Sequence, residues 1–99
     1  MVIEAYLKEN INSNVTINKW QDISKLPVFL ENYYNYYEMT ILDTSCILLE
    51  ILDETPTVDV IEKHIKRIQE LTSKNIVLYY REITRYRRKS LIDKRIPFI

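Results

Sequence analysis

The residues that could do chemistry in this chain are few, and their types narrow the chemistry at once. Asp43 and Glu50, followed by Leu52, invite comparison with an acid on one strand and an acid-x-lysine on the next that hold a divalent cation for phosphodiester hydrolysis. Leucine stands where that pattern needs lysine to assist the attacking water, so at most the remnant of a metal-dependent nuclease is expected. Cys46 lies in an apolar run and reads as an inert core thiol. His64 flanks an apolar helical stripe with no Ser or Cys partner in any recognisable motif, which suits a helix-flank role. One cysteine and one histidine supply neither an internal disulfide nor a cysteine or two-histidine metal motif. Glycine is absent altogether, which removes every phosphate-cradling loop that depends on close backbone approach, including Rossmann and P-loop sites. No catalytic residue, metal or cofactor is therefore assigned, and an enzyme is not expected.

Basic and aromatic residues carry more. Around Tyr86-Arg87-Arg88-Lys89-Ser90-Leu91-Ile92-Asp93-Lys94-Arg95, a helical wheel clusters Arg85, Arg88 and Lys89, while Arg87 and Lys94 fall on the opposite side. Arg85, Arg88, Lys89 and Arg95 are the candidate contacts to nucleic-acid phosphates. A structural ion pair to the acidic half is the other reading of Arg88. Tyr33, Tyr34, Tyr36 and Tyr37, near Trp20 and Phe29, make an aromatic-rich stretch flanked by Glu31 and Glu38. Those acids repel a nucleic-acid backbone, so the four tyrosines are read as core packing plus a protein or interdomain interface.

The elements that must position these residues follow from periodicity. Val2, Ile3, Tyr6 and Leu7 fit a short helix ending near Glu9, and Val15 to Trp20 alternates as a strand. Ser24 before Leu26-Pro27-Val28-Phe29-Leu30 suggests a capped helical turn. Tyr36 to Leu42 and Ser45 to Leu52 read as antiparallel strands about an Asp43-Thr44 turn, the second apolar enough for a central strand covered on both faces. Thr55-Pro56 then opens a helix whose stripe is Val58, Ile61, Ile65, Ile68 and Leu71, ending near Lys74-Asn75. Ile76 to Tyr80 is a buried strand, Thr84 caps the basic helix to about Arg95, and Ile96-Pro97-Phe98-Ile99 starts another strand.

This order predicts one α/β domain over residues 1–99, with α+β as the neighbouring class. Its mixed sheet has about four to five strands: a β-hairpin, then right-handed βαβ-type crossovers with helices packed on the sheet. A degenerate restriction-endonuclease-like fold is one form of this architecture. With 99 residues, 46% of them apolar and 28% charged, the chain supports a single thin core and excludes disorder. The absence of a signal region or a long apolar run points to the cytoplasm and away from membranes. The zero net charge conceals opposite halves. Residues 1–60 hold ten acids against three lysines, a net −7, and residues 61–99 hold eleven bases against four acids, a net +7. Such a dipole can steer an anionic partner to one side or order self-association.

Two passages, Leu26-Pro27-Val28-Phe29-Leu30 with Tyr33 to Glu38, and Tyr86-x-Arg88-Lys89-x-Leu91-Ile92-x-x-Arg95-Ile96-Pro97-Phe98-Ile99, resemble an N-terminal domain of bacterial MarR-type, or helix-turn-helix, transcriptional regulators. The resemblance spans most of residues 20–99. It implies a chain that continues into a winged helix reading DNA, which these 99 residues do not contain, and the apolar run at Ile96 to Ile99 carries the same expectation of a longer protein. The expected function is a non-catalytic domain acting by dimerisation or interdomain contacts. Its partners would be a second copy or the winged-helix domain, with DNA reached through the full-length protein and some non-specific phosphate affinity here. The alternatives are a stand-alone interaction module, such as an inhibitor or antitoxin-like protein, and the nuclease remnant.

Overall fold

The computed structural model describes Ala5, Glu9 and residues 15–41, 43–53 and 55–99. Of the helix expected near the start, only Ala5 and Glu9 are described, both helical and exposed; the rest of that expectation lies outside the described residues. Four strands form one sheet in the order β1 (Thr16–Lys19), β2 (Tyr34–Ile41), β3 (Thr44–Ile51) and β4 (Asn75–Tyr79). The first two pairings are antiparallel and β3–β4 is parallel. The mixed α/β architecture expected from the sequence is therefore present, and besides Ala5 and Glu9 the described residues form three α-helices: the single turn α1 (Val28–Glu31), α2 (Val58–Thr72) and α3 (Arg85–Asp93). None of the described helices is long and apolar enough to cross a membrane.

The near-continuous apolar run of β3 is explained by its place. It lies between β2 and β4, and Cys46 to Glu50 are all buried. Strand alternation sends Tyr34, Tyr36, Ile47, Leu49, Ile76 and Leu78 into the principal core, where they meet Val58, Ile61, Ile65 and Ile68 of α2 and Leu91 of α3. The opposite face carries a second cluster of Val15, Ile17, Met39, Cys46 and Leu48.

Several boundaries move, for local reasons. The Ser24 region is a 3₁₀ turn, Ile23–Lys25, without a side-chain cap, and α1 begins only after Pro27. Proline holds the preceding Leu26 extended, at φ −94° and ψ 150°, so no helix can run through it. The cap of α2 is Thr57 instead of Thr55; its side chain accepts the Val60 amide at 3.3 Å. At the other end the helix stops at Thr72, because Ser73 turns left-handed at φ 57°. In the hairpin Thr44 already belongs to β3, and Asp43 takes φ 62°. Arg95, just beyond α3, is the third left-handed residue, at φ 56°. The last segment pairs parallel to β4 by a single bridge, Leu78 with Phe98, flanked by the Leu78 amide donating to the Pro97 carbonyl at 3.0 Å and the Ile99 amide donating to that of Leu78 at 2.9 Å.

Candidate functional site

Helix α3 is capped as its sequence requires: the Thr84 hydroxyl accepts the Arg87 amide at 3.2 Å. Leu91 is its one buried residue, so the hydrophobic effect fixes this helix at a single point. Polar contacts on the inner side do the rest. Arg87 Nη2 donates to the Pro56 carbonyl at 2.8 Å, and Lys94 Nζ lies 2.7 Å from Asp59 and 3.7 Å from Glu62, both on α2. That pairing holds the Asp59 carboxyl below its ordinary range, by hydrogen bonding to Lys94, and raises the Lys94 ammonium. Arg85, Arg88 and Lys89 project from the outer side, all exposed, with Tyr86 and Ile92 among them. Among the described residues no carboxylate pairs with these three or with exposed Arg95. The structural ion pair weighed for Arg88 is thus not formed among them. Where α2 and α3 begin, a cleft of about 330 Å³ is lined by Thr57, Thr84, Arg87 and Ser90, with Asp59 on its wall.

The four tyrosines separate by strand parity. Tyr34 and Tyr36 point into the principal core and are buried, so neither offers surface to a partner; Tyr33 and Tyr37 are half-buried. The Tyr36 hydroxyl donates to the Leu30 carbonyl at 2.7 Å, and the Tyr34 hydroxyl shares a 2.8 Å hydrogen bond with His64 Nδ1. Burial raises both phenols far above the ordinary tyrosine range. His64 is enclosed by aromatic rings, with centroids at 5.2 Å for Tyr33, 5.7 Å for Tyr34 and 6.1 Å for Phe29, and its partial burial pushes the imidazole pKa down. Beside it, Val28 and Phe29 are 75% and 53% exposed, more than an isolated α1 turn needs to leave open.

Asp43 and Glu50 do not form one site. Asp43 occupies the hairpin turn and Glu50 the far end of β3, seven residues on, which at strand rise is roughly 20 Å. No pair of carboxylates separated by that distance clamps one cation. Among the described residues, no cluster of three or more His, Cys, Asp or Glu is arranged to hold a metal. Glu50 instead is the one buried charged residue described, and it accepts from Asn35 Nδ2 at 2.8 Å and from Arg81 Nε at 3.2 Å. Sequence reading missed both partners; a lone acid inside the apolar run SCILLEIL was the available signal that something must compensate it. Cys46 is buried, and burial raises its thiol pKa, away from thiolate chemistry. The chain matches no protein-family model, no curated protein and no solved structure.

Proposed function

We propose that this chain is a non-catalytic domain of a bacterial transcription regulator, contacting nucleic-acid phosphates without sequence preference through the outer side of α3. One observation carries this reading. The inner cations Arg87 and Lys94 are tied to α2 and the segment before it, whereas Arg85, Arg88, Lys89 and Arg95 stay exposed with no carboxylate partner among the described residues. Exposed Arg85, Arg88 and Lys89 on α3 present guanidinium and ammonium groups that release counterions from a phosphate backbone, whereas Arg95 lies apart, in a groove with Glu62 and Lys66 of α2. Duplex DNA titrated across a salt series, followed by fluorescence anisotropy, tests it. Replacing Arg85, Arg88 and Lys89 together by alanine lowers the log–log salt slope by about 2–3 if each contacts a phosphate. An unchanged slope in a folded triple variant overturns the reading.

A protein-contact role, by dimerisation or against another domain, is supported by a different observation, the exposed apolar pair Val28 and Phe29 beside Tyr33 and His64. Sedimentation of the chain across a concentration series tests this: Phe29→Ser abolishes self-association if the patch is the contact. Association that survives Phe29→Ser removes the patch from consideration.

A further inference from the structure

The buried Glu50 demands an explanation that the fold alone does not supply. A carboxylate taken out of water costs several kcal/mol unless it is paired and hydrogen-bonded, and an apolar residue in a central strand would avoid that cost. Glu50 is satisfied from two directions. Asn35 lies directly opposite it on β2 and donates to Oε1; Arg81, just past β4, donates to Oε2. The exposures of the ion pair are far apart: the Glu50 side chain is 5% accessible and the Arg81 side chain 79%.

That asymmetry orders the arginine without hiding it. Only Nε is held, at 3.2 Å, so the two Nη groups face water as a fork of fixed direction, the geometry that suits phosphate oxygens. Glu50 is already compensated, and exposed Lys19 opposite Tyr37 on β1 adds a second cation on this side, against exposed Glu82 next to Arg81 and Glu31 in the cleft that Lys19 and Tyr37 line. Rings flank the fork as well. Tyr37, diagonal to Glu50 across the β2–β3 pairing, and Tyr79, the β4 register partner of Glu50, are both half-buried. This surface lies on the face of the sheet opposite the principal core, around the end of β3 remote from the Asp43 turn.

We propose that Lys19, Tyr37, Tyr79 and Arg81, braced around Glu50, bind a single-stranded nucleic acid, with Arg81 on a phosphate and a tyrosine ring stacked on an unpaired base. Single-strandedness follows from the chemistry: a ring on a sheet surface reaches the flat face of a base only where that base is not stacked within a duplex. Glu50 and Asn35 are positioning residues that touch no ligand. The surface goes beyond the duplex contact assigned to α3 and shares no residue with it.

The test uses the full chain and two fluorescent probes of equal length, an oligothymidine of about twelve nucleotides and a blunt duplex. Anisotropy is expected to show tighter binding of the single strand. Tyr37→Leu, which keeps apolar packing and removes the ring, and Arg81→Ala each lower single-strand affinity roughly tenfold and leave duplex affinity within about twofold. Glu50→Gln removes the charge that fixes the fork, and it lowers single-strand affinity with a melting temperature near that of the parent. The inference is overturned if the parent holds the single strand no more tightly than the duplex, or if folded Tyr37→Leu and Arg81→Ala bind it unchanged. Single-strand binding that disappears only in the α3 triple variant overturns it too. Loss of duplex binding with retention of the single strand removes the α3 reading and leaves this one standing.

Discussion

Helices α2 and α3 begin alike and are held by opposite means. Each opens on a threonine whose hydroxyl accepts a backbone amide three residues on, Thr57 for Val60 and Thr84 for Arg87. From there α2 buries Val58, Ile61, Ile65 and Ile68 in the principal core, whereas α3 buries Leu91 alone and leans on Arg87 and Lys94 for its orientation. A helix anchored by four apolar side chains is part of the scaffold. One anchored by a single leucine and two cations leaves Arg85, Tyr86, Arg88, Lys89 and Ile92 exposed among the described residues. The lesson extends to the basic half as a whole: its cations divide into those consumed by the fold and those displayed by it, and net charge alone does not separate the two.

The contrast can be broken in graded ways. Ile61→Ala is expected to cost about 2–5 kcal/mol, a large fraction of the roughly 5–15 kcal/mol that holds a domain of this size, as read by chemical denaturation. Leu91→Ala is expected near the lower end of that range, because its surroundings can relax, and amide exchange would show α3 losing protection while β3 and α2 keep theirs. If both helices lose protection together, α3 is scaffold after all and the contrast fails. Removing the caps puts the two helices on equal terms: Thr57→Ala and Thr84→Ala should each cost about 1 kcal/mol, a melting shift of roughly 4–8 °C.

His64 sharpens the comparison from within α2. Its folded pKa is depressed by burial, so the neutral form is favoured and its contribution to stability is complete above the unfolded value near 6.5. Stability should decline as the pH falls from there through the lower folded pKa, and His64→Gln should flatten that decline in thermal melts taken from pH 7 to 5. The smallest effect belongs to Lys94 and Asp59. With the acid's pKa lowered and the amine's raised, their attraction is present at neutral pH, fades as acid protonates Asp59, and fades at the alkaline end as Lys94 loses its proton. Lys94→Met should remove this dependence with little change in melting temperature at pH 7, and the small difference between parent and variant should shrink further as salt screens the parent's pair.

Much of the architecture was legible because burial leaves periodic marks. The α2 stripe from Val58 to Ile68, the hairpin and the Thr84 cap could be read directly, since each depends on neighbours within a few residues, whereas Leu71, expected to end that stripe, is exposed. The tyrosines were harder. With β2 taken to begin at Tyr36, Tyr34 stood outside the strand's alternation; placing the start two residues earlier puts Tyr34 and Tyr36 together on the core side. Thr55-Pro56 reads locally as the cap of α2, and the actual cap, Thr57, depends on where Val58 must enter the core, a tertiary condition. The Glu50 arrangement was out of reach for the same reason. Arg81 lies 31 residues away, across a parallel pairing whose register no local signal records.

Three residues in the left-handed region, Asp43, Ser73 and Arg95, occupy positions that glycine would fill with less strain. Directed evolution for thermal tolerance should therefore find glycine early at these sites, and Arg95 is where such a campaign becomes informative. The substitution Arg95→Gly would ease the backbone and erase a displayed charge in one step. A selection for heat resistance alone and a selection for nucleic-acid retention would be pulled apart at that codon, making it a natural gauge of how much conformational comfort the domain gives up to keep a cation on show.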